Sequence, residues 1–301
     1  MNSSERSAQP AVTAAGTPGV TVAGAVARLS RRLRTAGVPA AEIDASLLVR
    51  HILGWSAARL ITDGDRYVPF EAVQRLEALA ARRAAREPLQ LLVGSVAFRY
   101  LDLGIRPGVF IPRPETEVLA GEAIERTPPG GVVLEPCTGS GAVACAVAHE
   151  AQPGTLVASD RSPRAVTLAR SNAARAGLDV RVVQGDLLAP MPLRLRGMVD
   201  VLVSNPPYLA TAELAGLEPE VRDHDPVEAL VAGPTGHEVS DRLLSEGPAW
   251  LRPGGWLLIE VDERRAAESA TRAEAAGLAD ADLVPDLAGR DRIVRARRPL
   301  R

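Results

Sequence analysis

Ser204-Asn205-Pro206-Pro207-Tyr208 follows the apolar run 199–203 and holds the residue types best suited to chemistry. Two prolines stop a strand and stiffen the loop after it. Neither has an N–H, so the backbone there offers mainly carbonyl oxygens, and the Asn205 side-chain oxygen is a further acceptor. Two acceptors converging at one strand end suit an NH2 group as donor. Tyr208 supplies a flat face that can stack on a planar amide or base. An amide nitrogen is a poor nucleophile because its lone pair is delocalised. Holding both N–H bonds favours the geometry in which that lone pair localises toward a methyl donor. No strong base need act first, and the gain comes from orientation and electrostatics. Taken alone, the tetrapeptide also reads as an ordinary Pro-Pro turn with a half-buried tyrosine.

Three further strand ends carry candidate ligand groups. Glu135-Pro136-Cys137-Thr138-Gly139-Ser140-Gly141 lies between an apolar run and a helical stretch. Glycines there let the backbone approach a ligand, and the following helix presents free N–H groups. The segment 139–144 also satisfies the dinucleotide pattern G-x-G-x-x-G/A, a common pattern on its own. Asp160 ends the next strand, about 20 residues on, where a carboxylate can accept both ribose hydroxyls of an adenosine. Asp186 ends the third strand. Together these ends suggest an adenosyl cofactor, although each acid alone also reads as a helix or turn cap.

The elements that must position these groups alternate. Residues 132–134, 156–159, 180–183, 199–203 and 256–261 read as short apolar strands. Residues 142–150, 163–176 and 264–276 read as helices between or after them. This alternation predicts an α/β fold with a parallel, doubly wound sheet, which binds ligands at the carboxyl ends of its strands. Upstream the pattern is helical. Thr21 can cap a helix with Val22, Val26, Leu29 and Leu33 on one stripe. A second helix, 39–53, puts Ile43, Leu47, Leu48 and Ile52 at helical spacing, and a third spans about 70–86. Its arginines read as a solvated face rather than a binding patch.

Composition narrows the function. At 301 residues, two domains of roughly 100–200 residues are expected. All 35 basic residues are arginine, which excludes a Schiff-base or P-loop lysine. Only nine residues are aromatic, so the core must be packed with Ala, Val and Leu. A net charge of −2 and a pI near 6.2 give no general hold on a nucleic-acid backbone. Two cysteines, Cys137 and Cys145, form no disulfide framework and fit a reduced, cytoplasmic setting. No run of about 18 apolar residues exists to span a membrane. Residues 1–20 lack the apolar region of a secretory signal and read as a disordered tail.

Asn205-Pro206-Pro207-Tyr208 with Thr138-Gly139-Ser140-Gly141 resembles the class I (Rossmann-like) S-adenosylmethionine-dependent amino-methyltransferases. Ile111-Pro112-Arg113-Pro114-Glu115-Thr116-Glu117 is more specific and resembles the signature of the HemK/PrmC family, the protein-glutamine methyltransferases. Arg86-Glu87-Pro88-Leu89-Gln90, Gly94, Pro253-Gly254-Gly255 and Asp291-Arg292-Ile293-Val294 also fit. The resemblance runs from about Thr21 to the C-terminus. It implies methylation of a protein glutamine, with the Gly-Gly-Gln loop of peptide chain release factors as the leading target. It implies that Asn205 and Pro206 hold the amide while Tyr208 packs on it, with Pro207 and Arg113 also on the substrate side. It implies a cofactor site of Glu135, Thr138, Gly139, Ser140, Gly141, Asp160, Asp186, Leu187 and Asn205. The expected domains are a tail (1–20), a helical substrate-docking domain (21–90), a hairpin linker (91–110) and the methyltransferase domain (111–301). The protein is expected to act as a monomer, without membrane, metal or stable nucleic-acid partner.

Pro112 and Pro114 suit an extended entry, and Glu115 and Glu117 the first turn of a helix. Arg113 can line the active site or serve as a structural ion-pair partner. Several positions depart from the family pattern. Cys137 stands where many class I enzymes have the first loop glycine, and it is not expected to be a nucleophile. Leu187 fills a corner where some members place an aromatic against the adenine. Phe98-Arg99-Tyr100 and Glu260-Val261-Asp262 each lack a usual glycine, and 218–226 is unusually charged. These fit a paralogue with another protein or peptide target. His224 and His237 are too isolated for a metal and suit surface or capping roles. The other classes open are an adenine-specific DNA methyltransferase, a dinucleotide oxidoreductase and a non-catalytic docking module.

Overall fold

Thr21 starts the first helix by accepting the Gly24 N–H at 3.1 Å, and Val22, Ala25, Leu29 and Leu33 of α1 (Val22–Thr35) form its buried stripe. The computed structural model describes residues 19–300, so the expected tail lies, up to residue 18, outside the described residues. α2 (Ala41–Leu53) ends at Gly54, whose φ of +65° suits glycine. α3 (Ala57–Thr62), α4 (Phe70–Ala84) and α5 (Leu89–Val93) complete a helical unit that closes after Val93.

Two expectations for this unit need correction. The buried face of α2 is Ala41, Ala45, Leu48 and Val49, and Ile43 is 64% exposed. The helix is turned because Asp44 also faces inward and pairs with Arg83 of α4 at 2.7 Å, both side chains being buried. The arginines of α4 are therefore not all on a solvated face. Arg82 is exposed, and Arg83 is in the core.

The second unit begins at Gly94. β1 (Ser95–Phe98) and β2 (Leu101–Gly104) form an antiparallel hairpin, followed by α6 (Thr116–Arg126). β3 (Val132–Pro136), α7 (Ala142–Glu150), β4 (Thr155–Asp160), α8 (Pro163–Arg175) and β5 (Arg181–Gln184) alternate as expected. β6 (Val199–Ser204) leads to a small ladder of β7 (Leu209–Ala210) and β8 (Val231–Gly233). Between these two lie the single-turn helices α9 (Pro219–Arg222) and α10 (Val227–Leu230). α11 (Glu238–Glu246), β9 (Leu251–Glu260), α12 (Ala266–Ala275), β10 (Ala279–Pro285) and β11 (Asp291–Arg297) finish the unit.

The main sheet has seven strands in the order β10-β11-β9-β6-β3-β4-β5. The five strands from β9 to β5 are parallel, while β11 and β10 add antiparallel pairs at one side. The apolar-run criterion missed these two strands because Ala-Asp-Ala-Asp and Asp-Arg-Ile-Val-Arg-Ala-Arg alternate charge with small or branched residues. Their charges pair across the ladder, Arg295 with Asp282. α6, α7 and α8 cover one face of the sheet and α11 and α12 the other. The order reverses between β3 and β6, so a crevice opens at their carboxyl ends. His237, expected at the surface or as a cap, is buried without a capping bond, its Nε2 3.3 Å from Glu268. No helix among the described residues is long and apolar enough to cross a membrane.

The buried Asp44–Arg83 pair gives the first prediction. Asp44→Ala removes the counter-charge of a buried guanidinium and should cost about 3–5 kcal/mol, whereas Asp44→Leu with Arg83→Met should recover most of it. Urea unfolding of the three proteins measures both values. An Asp44→Ala loss below about 1 kcal/mol would mean the pair is solvated.

Candidate active site

A cavity of about 380 Å³ opens at the carboxyl ends of β3, β4 and β6. Its floor is the loop after β3. Cys137 and Gly139 there have φ of +61° and +56°, and Gly141 of +81°. Gly141 stands at the start of α7, and a Cβ on it would sit 3.0 Å from that of Ala169. It therefore lets α7 approach α8 and does not line the cavity, unlike Glu135, Thr138, Gly139 and Ser140. Asn172 locks this packing from α8. Its Nδ2 donates to the Ser140 carbonyl at 2.9 Å, and its Oδ1 accepts the Gly104 N–H at 2.8 Å.

Glu135 is buried beneath the loop. It accepts the Thr138 hydroxyl at 2.7 Å and the Ala144 N–H, but burial outweighs both and pushes its carboxyl up to about 8. Asp160 accepts the N–H groups of Gly139 and Ser162, each at 2.9 Å, and burial raises it too. Those bonds use one lone pair on each oxygen and leave others for a ligand. Asp186 pairs with Arg242 at 2.9 Å. Leu187 takes φ +45°, and its carbonyl accepts the Ser159 hydroxyl at 2.6 Å. Both line the cavity. These residues fit an adenosyl cofactor with a cationic tail. A Cβ on Gly139 would meet nothing within 4 Å, so that backbone is open to a ligand, and buried carboxylates gain from a nearby cation.

Asn205, Pro206, Pro207 and Tyr208 line the other side. Asn205 Nδ2 donates to Thr116 Oγ1 at 3.1 Å. With one Nδ2 proton on Thr116 and the NH2 also facing Glu260, the side-chain oxygen is the end of Asn205 turned away from both. Burial raises the Tyr208 hydroxyl, so it stays neutral near neutral pH. Arg113 lines the cavity and also pairs with the fully buried Asp225, which accepts the Ile111 N–H at 3.3 Å. Its guanidinium lies 5.1 Å from the centre of the Phe110 ring.

Sequence reasoning assigned no role to Phe110, Thr116, Asp225, Glu260 or Arg292. Phe110 is a second ring in the cavity, which the focus on Leu187 overlooked. Thr116 lay inside the Pro-Arg-Pro-Glu-Thr-Glu motif, and Glu260 ends β9 as Asp160 ends β4, so both had a positional signal. Asp225 had none beyond the charge density of its segment.

Burial drives the Cys137 thiol up to about 12, with Asp160 adding to it, which disfavours its nucleophilic thiolate near neutral pH. Both cysteines of the folded protein should resist alkylation near neutral pH and react once it is unfolded, as quantitative iodoacetamide labelling would reveal. Rapid labelling of Cys137 in the folded protein would contradict this. A second prediction concerns pH. Glu135 and Glu260 titrate higher in the folded chain than in the unfolded one, at about 8 and about 7 against 4.5. The folded state then holds protons that the unfolded state releases, so stability should fall as pH rises from about 5 to about 8. Glu135→Gln should flatten that slope in thermal unfolding across the range. An unchanged slope would remove Glu135 as its source.

Residues 24–94 match the model of the PrmC N-terminal domain, and residues 114–216 that of the methyltransferase small domain. A release factor glutamine methyltransferase of Deinococcus radiodurans is 44% identical over 269 residues, covering 89% of this chain and 95% of its own. The one from Mycolicibacterium smegmatis is 42% identical over 279 residues, covering 91% and 96%. In fold, the chain is similar to a methyltransferase from Pyrococcus furiosus with a TM-score of 0.50 at 20% identity, covering 75% of this chain and 98% of that one. By its identity with relatives matched over nearly their whole length, the chain belongs to the release factor glutamine methyltransferase family.

Proposed function

We propose that this protein transfers a methyl group from S-adenosylmethionine to the side-chain amide nitrogen of the glutamine in the Gly-Gly-Gln loop of a peptide chain release factor. The observation that carries the reading is the fixed side chain of Asn205. Its NH2 is held by Thr116 and faces Glu260, and the N–H-free Pro206 and Pro207 follow it along the cavity wall. Two acceptors at this point match the two N–H groups of a primary amide.

When bound, S-adenosylmethionine supplies the methyl group as an electrophile on a sulfonium. Gly139, Ser140, Asp160 and the Asp186-Leu187 corner would hold its adenosyl part, with Glu135 and Thr138 beneath the loop. Asn205 Oδ1 and the Pro206 carbonyl accept from the glutamine NH2 and favour localisation of its lone pair. The neutral Tyr208 packs its ring on the amide plane. Phe110 and the prolines around Arg113 keep water from the reacting nitrogen. The methylated nitrogen is cationic and loses its proton afterward, so no side chain need be a strong base. The helical unit is assigned to docking of the protein substrate, and the reaction to the cytoplasm, where peptide chain release takes place.

Asn205→Ala should lower kcat by about 100–1000-fold, the loss typical of one preorganised polar contact to the reacting group. Calorimetry should find cofactor affinity within a few-fold of the parent. Turnover at the parent rate would refute the mechanism. Incubation with labelled cofactor and a release factor, followed by peptide mass spectrometry, identifies the target. The label is expected on the Gly-Gly-Gln glutamine, and a label elsewhere would remove the release-factor assignment while leaving the amide chemistry intact.

A further inference from the structure

Glu260 ends β9 next to Asn205, because the parallel register pairs Ser204, the last residue of β6, with Ile259, so the residues that follow, Asn205 and Glu260, come side by side. It is 1% exposed, and neither carboxylate oxygen makes a hydrogen bond of full geometry, although the Thr116 and Asn205 side chains face it as donors. The proposed reaction gives it no task. A buried carboxyl without full hydrogen bonds is costly to keep, so its position needs a reason.

Thr116 and Asn205 are the polar side chains facing it. Thr116 Oγ1 already accepts from Asn205 Nδ2 at 3.1 Å. A hydroxyl that accepts on one side still has its own proton to donate, and Glu260 is the acceptor it faces. The Thr116 hydroxyl lies short of full hydrogen-bond geometry with the carboxylate, and such contacts commonly tighten when a substrate is held.

We propose that Glu260 is a positioning residue: its carboxylate accepts the Thr116 hydroxyl, which fixes Thr116 as acceptor toward Asn205 and turns the Asn205 oxygen to the substrate amide. The proposal rests on the reading of Asn205 as the acceptor for glutamine. A carboxylate has no proton to give, so the chain runs only from Asn205 through Thr116 to Glu260. A protonated Glu260 can donate. Thr116 can then donate to the Asn205 oxygen and turn the asparagine NH2 into the cavity, where it opposes the substrate NH2.

The charge state of Glu260 is set by groups on each neighbouring element. Burial and Glu115, before α6, raise its pKa, to about 7, while Thr116, Arg292 of β11 and Asn205 lower it. The neutral Tyr208, after β6, lies in the same field. Activity should therefore fall as pH drops below about 7.

Thr116→Val keeps the shape and removes the hydroxyl, Thr116→Ser keeps the hydroxyl, and Glu260→Gln replaces the carboxylate by a group that can also donate. The expected kcat falls about 100-fold in Thr116→Val and about tenfold or more in Glu260→Gln, with KM and cofactor affinity within about twofold. Thr116→Ser should recover to within about threefold of the parent. The acid limb of the parent's kcat profile should vanish in Glu260→Gln. Parental kcat in Thr116→Val, or parental kcat and pH profile in Glu260→Gln, would overturn the proposal. A second measurement needs no methyl transfer. In nitrogen-15 NMR of the asparagine-labelled protein, the Asn205 side-chain NH2 should shift with pH around 7 in the parent and not in Glu260→Gln. A pH-independent Asn205 signal in the parent would sink the positioning role. Absence of turnover in the parent would instead sink the glutamine reading.

Discussion

The parting of β3 from β6 is the constraint on which the site depends. The two strands pair only at Val133 with Val201 and at Leu134 with Leu202. Beyond that point Pro136 on one strand and Pro206 and Pro207 after the other have no N–H to extend the ladder. One side chain replaces the missing bond: the buried Ser204 hydroxyl donates to the Pro136 carbonyl at 2.8 Å. The chain after β3 then turns into α7 on one face, and the longer path after β6 leads to α11 on the other. A glycine loop and an acceptor loop hang from the two sides of the same gap. Their separation is set by proline chemistry and strand order, not by the side chains that line the cavity.

The cavity is electrostatically one-sided. Four of its arginines are answered by carboxylates: Arg113 by Asp225, Arg242 by Asp186, Arg264 by Asp262 and Glu213, and Arg292 by Asp286 and Glu115 at 3.9 and 4.0 Å, while Arg161 donates to the Glu228 carbonyl. Its buried acids Glu135 and Asp160 are held by N–H and O–H groups instead, and burial raises both. Buried acids raised in this way gain from a positively charged ligand, which favours their ionised form. The cost of those buried acids in the folded chain is offset when such a ligand binds.

What could be read from the sequence was local. The glycine loop, the acid at the end of β4 and the Asn-Pro-Pro-Tyr turn each stand at a strand-to-loop junction, so a few adjacent residues announce both place and chemistry. The central parallel strands β3, β4 and β6 could be read because they are buried almost throughout and run mostly apolar. β10 and β11 escaped because they sit outside that buried middle and carry charge, with Arg295 and Asp282 meeting only across the ladder. The turned face of α2 escaped for a similar reason, since nothing near Asp44 in sequence shows that Arg83 waits 39 positions away. Thr116 and Glu260 are the instructive cases. Each had a motif or strand-end position, yet their tie to Asn205 spans 89 positions for Thr116 and depends on the β6–β9 register for Glu260.

Arg113 illustrates why two readings of one residue need not compete. A chain with no lysine must build every cationic contact from guanidinium, which is planar and offers donors in a fixed fork. Arg113 uses its edge for the Asp225 carboxylate and its face for the Phe110 ring. An ammonium could serve the acid but could not lie flat on the ring at the same time. Asp225 also takes the Ile111 N–H, so one buried carboxylate fixes both the backbone and the arginine of the segment that leads into α6. That segment ends in Thr116, the partner of Asn205. The ion pair thus anchors, from within the cavity wall, the segment whose helix begins at Thr116.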